Sequence, residues 1–67
     1  MDINMRLKLK IIEVFRSQTR FAYELGEDEG LVSRIVNGWR QLPPEKQQQW
    51  AKVLGCRSED VFGNASH

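Results

Sequence analysis

The chain has little of what metal sites, disulfide frameworks and covalent catalysis need. Its 67 residues include one cysteine, Cys56, and one histidine, His67. A lone cysteine cannot close an internal disulfide, and one cysteine with one histidine cannot supply the four ligands of a structural zinc site. A nucleophile and base pair is also missing. We therefore expect no metal, no cofactor and no enzymatic activity.

Long hydrophobic runs are absent too. No apolar stretch approaches the roughly 18 residues that a membrane span requires. The first twelve residues are interrupted by Arg6, Lys8 and Lys10, which a signal peptide would not tolerate in its apolar region. The sequence therefore predicts a soluble, cytoplasmic protein that has neither a membrane partner nor a small-molecule substrate.

Charge is nearly balanced, with ten basic and nine acidic side chains and a formal net charge of +1. This balance excludes a histone-like protein that binds nucleic acid through bulk positive charge. The distribution is uneven, because residues 27–38 hold the acidic run Glu27, Asp28 and Glu29. Since phosphate repels carboxylate, any nucleic-acid function must account for this acidic block.

The length is that of one small domain, in which nearly all of the 40% apolar residues are needed for a core. We predict a single domain over 1–67 with its core over about 5–62, and fraying of 63–67. Residues 7–11 alternate as a strand would, but Leu7, Ile11 and Val14 have helical spacing, with Phe15 beside them. Asp2 or Asn4 could cap a helix over about 5–15.

Two short helices follow in close succession. Ser17 is a candidate N-cap for the second helix, which ends at Gly26, and a third helix ends at Asn37-Gly38. About three residues join the two, so Gly26 is expected in a left-handed turn that a side chain would oppose. The apolar positions of the pair are Phe21, Ala22, Leu25, Leu31, Val32, Ile35 and Val36.

The last third of the chain predicts a proline-led fourth helix that ends at Gly55, and a short final turn capped by Ser58. Gln47, Gln48 and Gln49 are expected on a solvated face, and Cys56 is expected to pack. The apolar positions are Trp50, Ala51, Val53, Leu54, Val61 and Phe62. The predicted fold class is therefore all-α, a compact bundle of four to five helices.

Two short helices joined by a tight glycine turn form the outline of a helix-turn-helix, whose second helix enters the major groove of DNA. Here the outline is filled by Gln18–Gly26, Val32, Ile35 and Asn37-Gly38. These residues closely resemble the Cro/phage-repressor (Xre-type) helix-turn-helix family. Residues 50–56 and 60–62 are similar to its fourth and fifth helices, so the resemblance covers about 7–62.

The resemblance implies a lambda-repressor-like DNA-binding domain in a small phage or prokaryotic transcriptional regulator. It implies sequence-specific binding of double-stranded DNA and repression by occupancy of the operator. Because one such module buries little surface on DNA, we expect a homodimer that spans an inverted repeat, either preformed or assembled only on DNA. The expected dimer contact lies around Glu59 to Phe62.

Family docking also implies which side chains meet DNA. The expected base contacts are Asp28, Glu29, Gly30, Ser33 and Arg34, and the expected phosphate contacts are Gln18, Thr19, Arg20, Asn37, Trp39 and Arg40. Arg34 is the best base reader, because a guanidinium can pair with guanine O6 and N7 together. The alternatives are a solvated Arg34 that pairs with Glu27 or with the neighbours of Gly30, and a Trp39 that packs.

The acidic block departs from the family pattern. Asp28 could cap the third helix and the block could favour the helix dipole, or Asp28 or Glu29 could accept from cytosine N4; capping is favoured. Gly30 either delays the helix or permits close approach to DNA.

A second function fits the near-neutral charge. A protein-interaction module of antirepressor or antitoxin type would keep the helix-turn-helix scaffold and present its acidic face to a basic partner, without binding DNA.

Overall fold

In a computed structural model that describes residues 3–63, the chain folds into five α-helices, and no strand occurs within that range. The helices are α1 (Met5–Phe15), α2 (Gln18–Leu25), α3 (Glu29–Val36), α4 (Pro44–Leu54) and α5 (Ser58–Phe62). The all-α bundle and the helix over 5–15 are confirmed. Of residues 63–67, which were predicted to fray, Gly63 donates its backbone N–H to the Glu59 carbonyl at 3.0 Å and caps the end of α5. Residues 64–67 lie outside the described residues, as does one candidate cap, Asp2.

Asn4 settles the ambiguity of the first segment in favour of a helix. Its side-chain oxygen accepts a hydrogen bond from the Leu7 backbone N–H at 3.1 Å, which caps α1. Its side-chain amide donates to the Val61 carbonyl at 2.7 Å, and its backbone N–H donates to the Val36 carbonyl at 2.7 Å. Asn4 therefore joins the start of α1 to the end of α3 and to α5.

The core is built around Trp50, which is completely buried. Phe21 packs against it with ring centroids 5.3 Å apart in an edge-on arrangement, and Phe62 lies 6.2 Å away on α5. The other fully buried large side chains come from the first three helices and are Leu7, Ile11, Phe21, Val32 and Val36. One face of each of the first four helices therefore meets in a single core.

One predicted core position was wrong. Val14 was expected on the buried face of α1 but is 44% exposed. The buried positions Leu7 and Ile11 are four residues apart, and the next step of four reaches Phe15, which packs at the core edge. Leu25 faces the core as expected and packs half-buried at its edge.

The start of α5 also differs from the prediction. Ser58 is the first residue of the helix and not its cap, and its hydroxyl accepts from the Gln48 side chain at 3.3 Å. The Asp60 carboxylate accepts instead from the Arg57 backbone N–H at 3.2 Å. Gln47 is half-buried and donates to the Leu42 carbonyl at 2.8 Å, so its placement on a solvated face was wrong.

Gly26 occupies the left-handed conformation that the sequence predicts, with φ at 73°. Its backbone N–H donates to the Tyr23 carbonyl at 3.1 Å, and the following N–H of Glu27 donates to Ala22 at 3.0 Å, which ends α2. A Cβ at this position would meet no atom within 4 Å. Only backbone strain therefore opposes a side chain here.

Replacing Gly26 by alanine is expected to lower the free energy of unfolding by about 1 to 2 kcal/mol, because the left-handed conformation is unfavourable for a residue with a Cβ. Urea denaturation followed by circular dichroism measures the change. Gly26→Asn should cost less, since asparagine tolerates this conformation better. Equal free energies of unfolding for wild type and Gly26→Ala would show that the left-handed backbone at this position does not strain a residue with a Cβ.

Candidate nucleic-acid interface

Helices α2 and α3 form a helix-turn-helix whose connection is only Gly26, Glu27 and Asp28. The inner faces of the two helices pack together through side chains that include the buried Phe21 and Val32. Ala22 is also buried, as expected where two helices cross closely. The opposite face of α3, which we call the uncovered face, carries the exposed Glu29 and Arg34 and the half-buried Gly30 and Ser33.

A hydrogen bond from the Thr19 hydroxyl to the Glu29 carboxylate, 2.7 Å long, joins the first turns of α2 and α3. Thr19 is a predicted phosphate contact and Glu29 is a predicted base contact. The fold places these two residues side by side on one surface. The Thr19 proton is already donated to Glu29. For this hydroxyl to donate to a phosphate instead, its hydrogen bond to Glu29 would have to break.

A cleft of about 330 Å³ lies at the other end of α3, lined by Ser33, Arg34, Asn37 and Trp39. The Asn37 side-chain amide donates to the Ser33 hydroxyl at 3.3 Å. Trp39 is 68% exposed, so it does not pack into the core. Its backbone N–H donates to the Arg34 carbonyl at 2.9 Å, which holds the residue against the end of α3. Four predicted DNA contacts are therefore neighbours.

Arg34 is exposed and forms no ion pair within residues 3–63. Its alternative role as a partner of Glu27 is excluded, because the Glu27 carboxylate binds the Lys46 ammonium of α4 at 2.6 Å. The guanidinium instead lies near Gly30, where its Nη2 would be 3.9 Å from an added Cβ. The side chain is available to a ligand of α3.

Capping of α3 by Asp28 was wrong. Asp28 occupies the N-cap position, but its side chain makes no capping hydrogen bond. Its backbone carbonyl accepts from Leu31 at 3.0 Å and from Val32 at 3.2 Å. The carboxylate lies over Gly30, with Oδ2 2.7 Å from the place that a Cβ would occupy. The missing side chain of Gly30 leaves room for it.

The structure excludes one of the two interpretations of Gly30. The helix begins at Glu29, so Gly30 is inside the first turn and does not delay the start of α3. Its missing side chain leaves room for the Asp28 carboxylate, which occupies the space that close approach of a ligand to the helix would use.

The remaining predicted phosphate contacts are less tightly grouped. Gln18 is half-buried at the first position of α2, while Arg20 and Arg40 are exposed. A groove of about 640 Å³ between α1 and α2 adds Arg16 and Tyr23 to the Thr19 and Arg20 end of the surface. Sequence reasoning missed Arg16 and Tyr23, which line this groove, and Lys46, which pairs with Glu27. The neighbours of these residues are brought close only by folding.

Other chemistry has little support in the described residues. Burial raises the pKa of the Cys56 thiol, and nearby Lys10 opposes this only in part, so the thiol stays protonated and unreactive near neutral pH. Within residues 3–63 no group of His, Cys, Asp and Glu is arranged to hold a metal ion. None of the five helices has the length and apolar character to cross a membrane.

Gly30→Ala is expected to raise the free energy of unfolding by up to about 1 kcal/mol, because alanine is the better helix former and the Asp28 carboxylate can rotate away from the new methyl group. Urea denaturation of Gly30→Ala and Gly26→Ala side by side tests this. The same substitution should raise the free energy of unfolding at position 30 and lower it at position 26. A loss of stability would show that the Asp28 carboxylate cannot move.

Comparison of the chain with protein-family models, with curated proteins and with solved structures gave no match in any of the three. A fold does not dictate a function, so the helix-turn-helix by itself leaves the function open. The residues on the uncovered face of α3 therefore have to carry the functional assignment.

Proposed function

We propose that this protein is a sequence-specific DNA-binding regulator, without catalytic activity, that represses by occupying its operator in the cytoplasm. The observation that carries the proposal is the uncovered face of α3. It presents an unpaired arginine beside a cleft of polar and aromatic side chains, on a helix whose other face is fixed in the core. A helix presented in this way can enter the major groove.

Arg34 supplies the base-reading chemistry. A guanidinium that is not engaged inside the protein can donate two parallel hydrogen bonds to guanine O6 and N7. Ser33, on the same side of the cleft, adds a hydroxyl that can donate or accept. Gly30 would let the backbone of α3 approach the base edges once the Asp28 carboxylate, which lies over it, rotates away.

Phosphate contacts would flank α3 on both sides. Gln18 and Arg20 lie at the start of α2, where backbone N–H groups have no helical partner and attract anions. Asn37, Trp39 and Arg40 follow the end of α3, in the segment that leads to α4. Contacts at both ends would fix the register of the helix on the duplex.

The acidic block is less of an obstacle to this function than its sequence implies. Glu27 is paired with Lys46, so its charge is offset within the protein, whereas Glu29 accepts a hydrogen bond from the neutral Thr19 hydroxyl and stays exposed and charged. The Glu27 ion pair therefore reduces the repulsion of phosphate by one of the three carboxylates, and it reduces the acidic surface for a basic protein partner to the same extent.

One module of this size buries roughly 600 to 1,000 Å² on DNA, and two modules on an inverted repeat would bind more tightly and selectively. A homodimer is therefore part of the proposal. The contact expected around Glu59 to Phe62 offers little apolar surface, because Val61 is buried and Phe62 packs against Trp50.

Selection of bound duplexes from a random-sequence pool tests the function as a whole. The proposal expects enrichment of an inverted repeat. A pool without enrichment, together with capture of a basic protein partner that Asp28→Asn weakens, would favour the interaction module.

Arg34→Ala is expected to weaken binding to the selected site by about 1 to 3 kcal/mol and to relax the preference at one base pair, because it removes a bidentate contact to a base edge. Titration of labelled duplex measures both effects. Affinity for random duplex should change little. Arg57→Ala, an exposed arginine at the start of α5, is the matched control and should bind like wild type.

Equal losses on the selected and the random duplex would place Arg34 on the phosphate backbone. That outcome would remove the base-reading role while leaving the DNA-binding function in place.

Asp28→Asn is expected to tighten binding to random duplex by roughly two- to fourfold at low salt, because Coulomb's law in water gives about 0.4 to 0.8 kcal/mol for unit charges 10 to 5 Å apart. The gain should shrink as salt screens the charges. Glu59→Gln removes an equal charge on α5 and should have a smaller effect. The same small effect from both variants would contradict an α3 that faces the duplex.

A further inference from the structure

The outer side of α1 carries an apolar stripe that nothing in residues 3–63 covers. Met5, Leu9 and Ile12 are 51%, 59% and 43% exposed, respectively. Their spacing of four and three residues places them in one row along the helix. The row lies away from Leu7 and Ile11, which fill the core side of the same helix. α1 is therefore apolar on two faces, and only one of them has a partner.

The exposed row is unusual for this surface. Five of the seven large apolar side chains that the described residues expose belong to the first fourteen residues, and the other two are Tyr23 and Trp39. A concentration of this kind on one helix marks an interaction site more often than scattered exposure does.

The charges beside the stripe are self-complementary. Arg6 and Glu13 are seven residues apart, about two turns, so they lie on the same flank of the row near its two ends. In an antiparallel pair of α1 helices, the two-fold axis is perpendicular to both helices. The Arg6 and Glu13 flanks of the two copies then lie on the same side of the pair. Each Arg6 then faces Glu13 of the partner subunit. A parallel pairing would place the two flanks on opposite sides of the pair, so Arg6 could not meet Glu13 of the partner subunit.

We propose that the Met5, Leu9 and Ile12 face of α1 is the homodimer contact, with α1 packed against α1 of a second copy in antiparallel orientation around Leu9. The partner is a second copy of this chain, which the proposed function requires as a homodimer. The contact itself does not need DNA to form. The Glu13 carboxylate is 3.8 Å from Lys10 on its own helix, a loose exposed pair that leaves it free to meet a second cation.

The dimer is expected to be weak. A contact limited to one helix of 11 residues falls below the roughly 800 Å² per partner of a stable interface. On the opposite flank the half-buried Lys8 approaches its own copy, and this repulsion further limits affinity. We expect a dissociation constant on the order of 100 μM without DNA.

Sedimentation equilibrium of the full chain, at concentrations up to about 1 mM, tests the contact in the absence of DNA. Wild type should show a monomer–dimer equilibrium, and Leu9→Glu should weaken it about tenfold or more, because two carboxylates would meet at the two-fold axis. Val14→Glu places the same charge at an exposed apolar position off the stripe and is the matched control. It should associate like wild type.

Charge reversal tests the antiparallel orientation. Arg6→Glu and Glu13→Arg should each weaken association, and the double variant should restore it, because the opposite charges meet again with their positions exchanged. Circular dichroism should show wild-type helix content in all variants, since each changed residue is exposed.

Three results would overturn the proposal. These are a monomer at every concentration, a dimer that Leu9→Glu does not weaken, and a double reversal that does not restore association. Binding of the stripe to anionic lipid vesicles by a chain that stays monomeric would also overturn it, in favour of a membrane surface. DNA titration of the Leu9→Glu monomer on a half-site reports separately whether the proposed function stands.

Discussion

The three-residue connection between α2 and α3 determines how α3 is presented. With so few residues, the two helices must cross closely, and Ala22 is buried where a larger side chain would hold them apart. The left-handed Gly26 turns the chain without strain. At the other end of α3, the Val36 carbonyl accepts the Asn4 backbone N–H. The helix is thus held at both ends, with one face in the core and the other free.

Local sequence signals were sufficient for the architecture. Apolar spacing, the caps Asn4 and Ser17 and the turn at Gly26 are effects of neighbours within one or two turns, and they predicted the all-α bundle. The errors come from tertiary contacts that local signals do not contain. Val14 and Phe15 are adjacent, and only the tilt of α1 on the core decides which one packs. Ser58 is a good capping residue, but the Gln48 side chain reaches its hydroxyl.

The candidate surface was less predictable, because its side chains depend on residues distant in sequence. The ion pair of Glu27 with Lys46 spans 19 positions, and the Thr19 to Glu29 hydrogen bond spans ten. No pattern within the acidic block indicates either partner. Sequence reasoning treated this block as three free carboxylates or a helix cap. In the fold, two are engaged elsewhere and Asp28 lies over a glycine. The exposed stripe on α1 could not be predicted either. Its residues have the spacing of a buried helix face, and only the fold shows that this face has no partner in residues 3–63.

The two tryptophans occupy opposite environments, and this gives the molecule two separate optical reporters. Trp50 is enclosed by aromatic rings, so its fluorescence emission should respond when the core opens. Trp39 stands in solvent at the edge of the α3 cleft, so its emission should respond to whatever covers that face. Unfolding and ligand binding thus affect different indoles in a chain that needs no attached label.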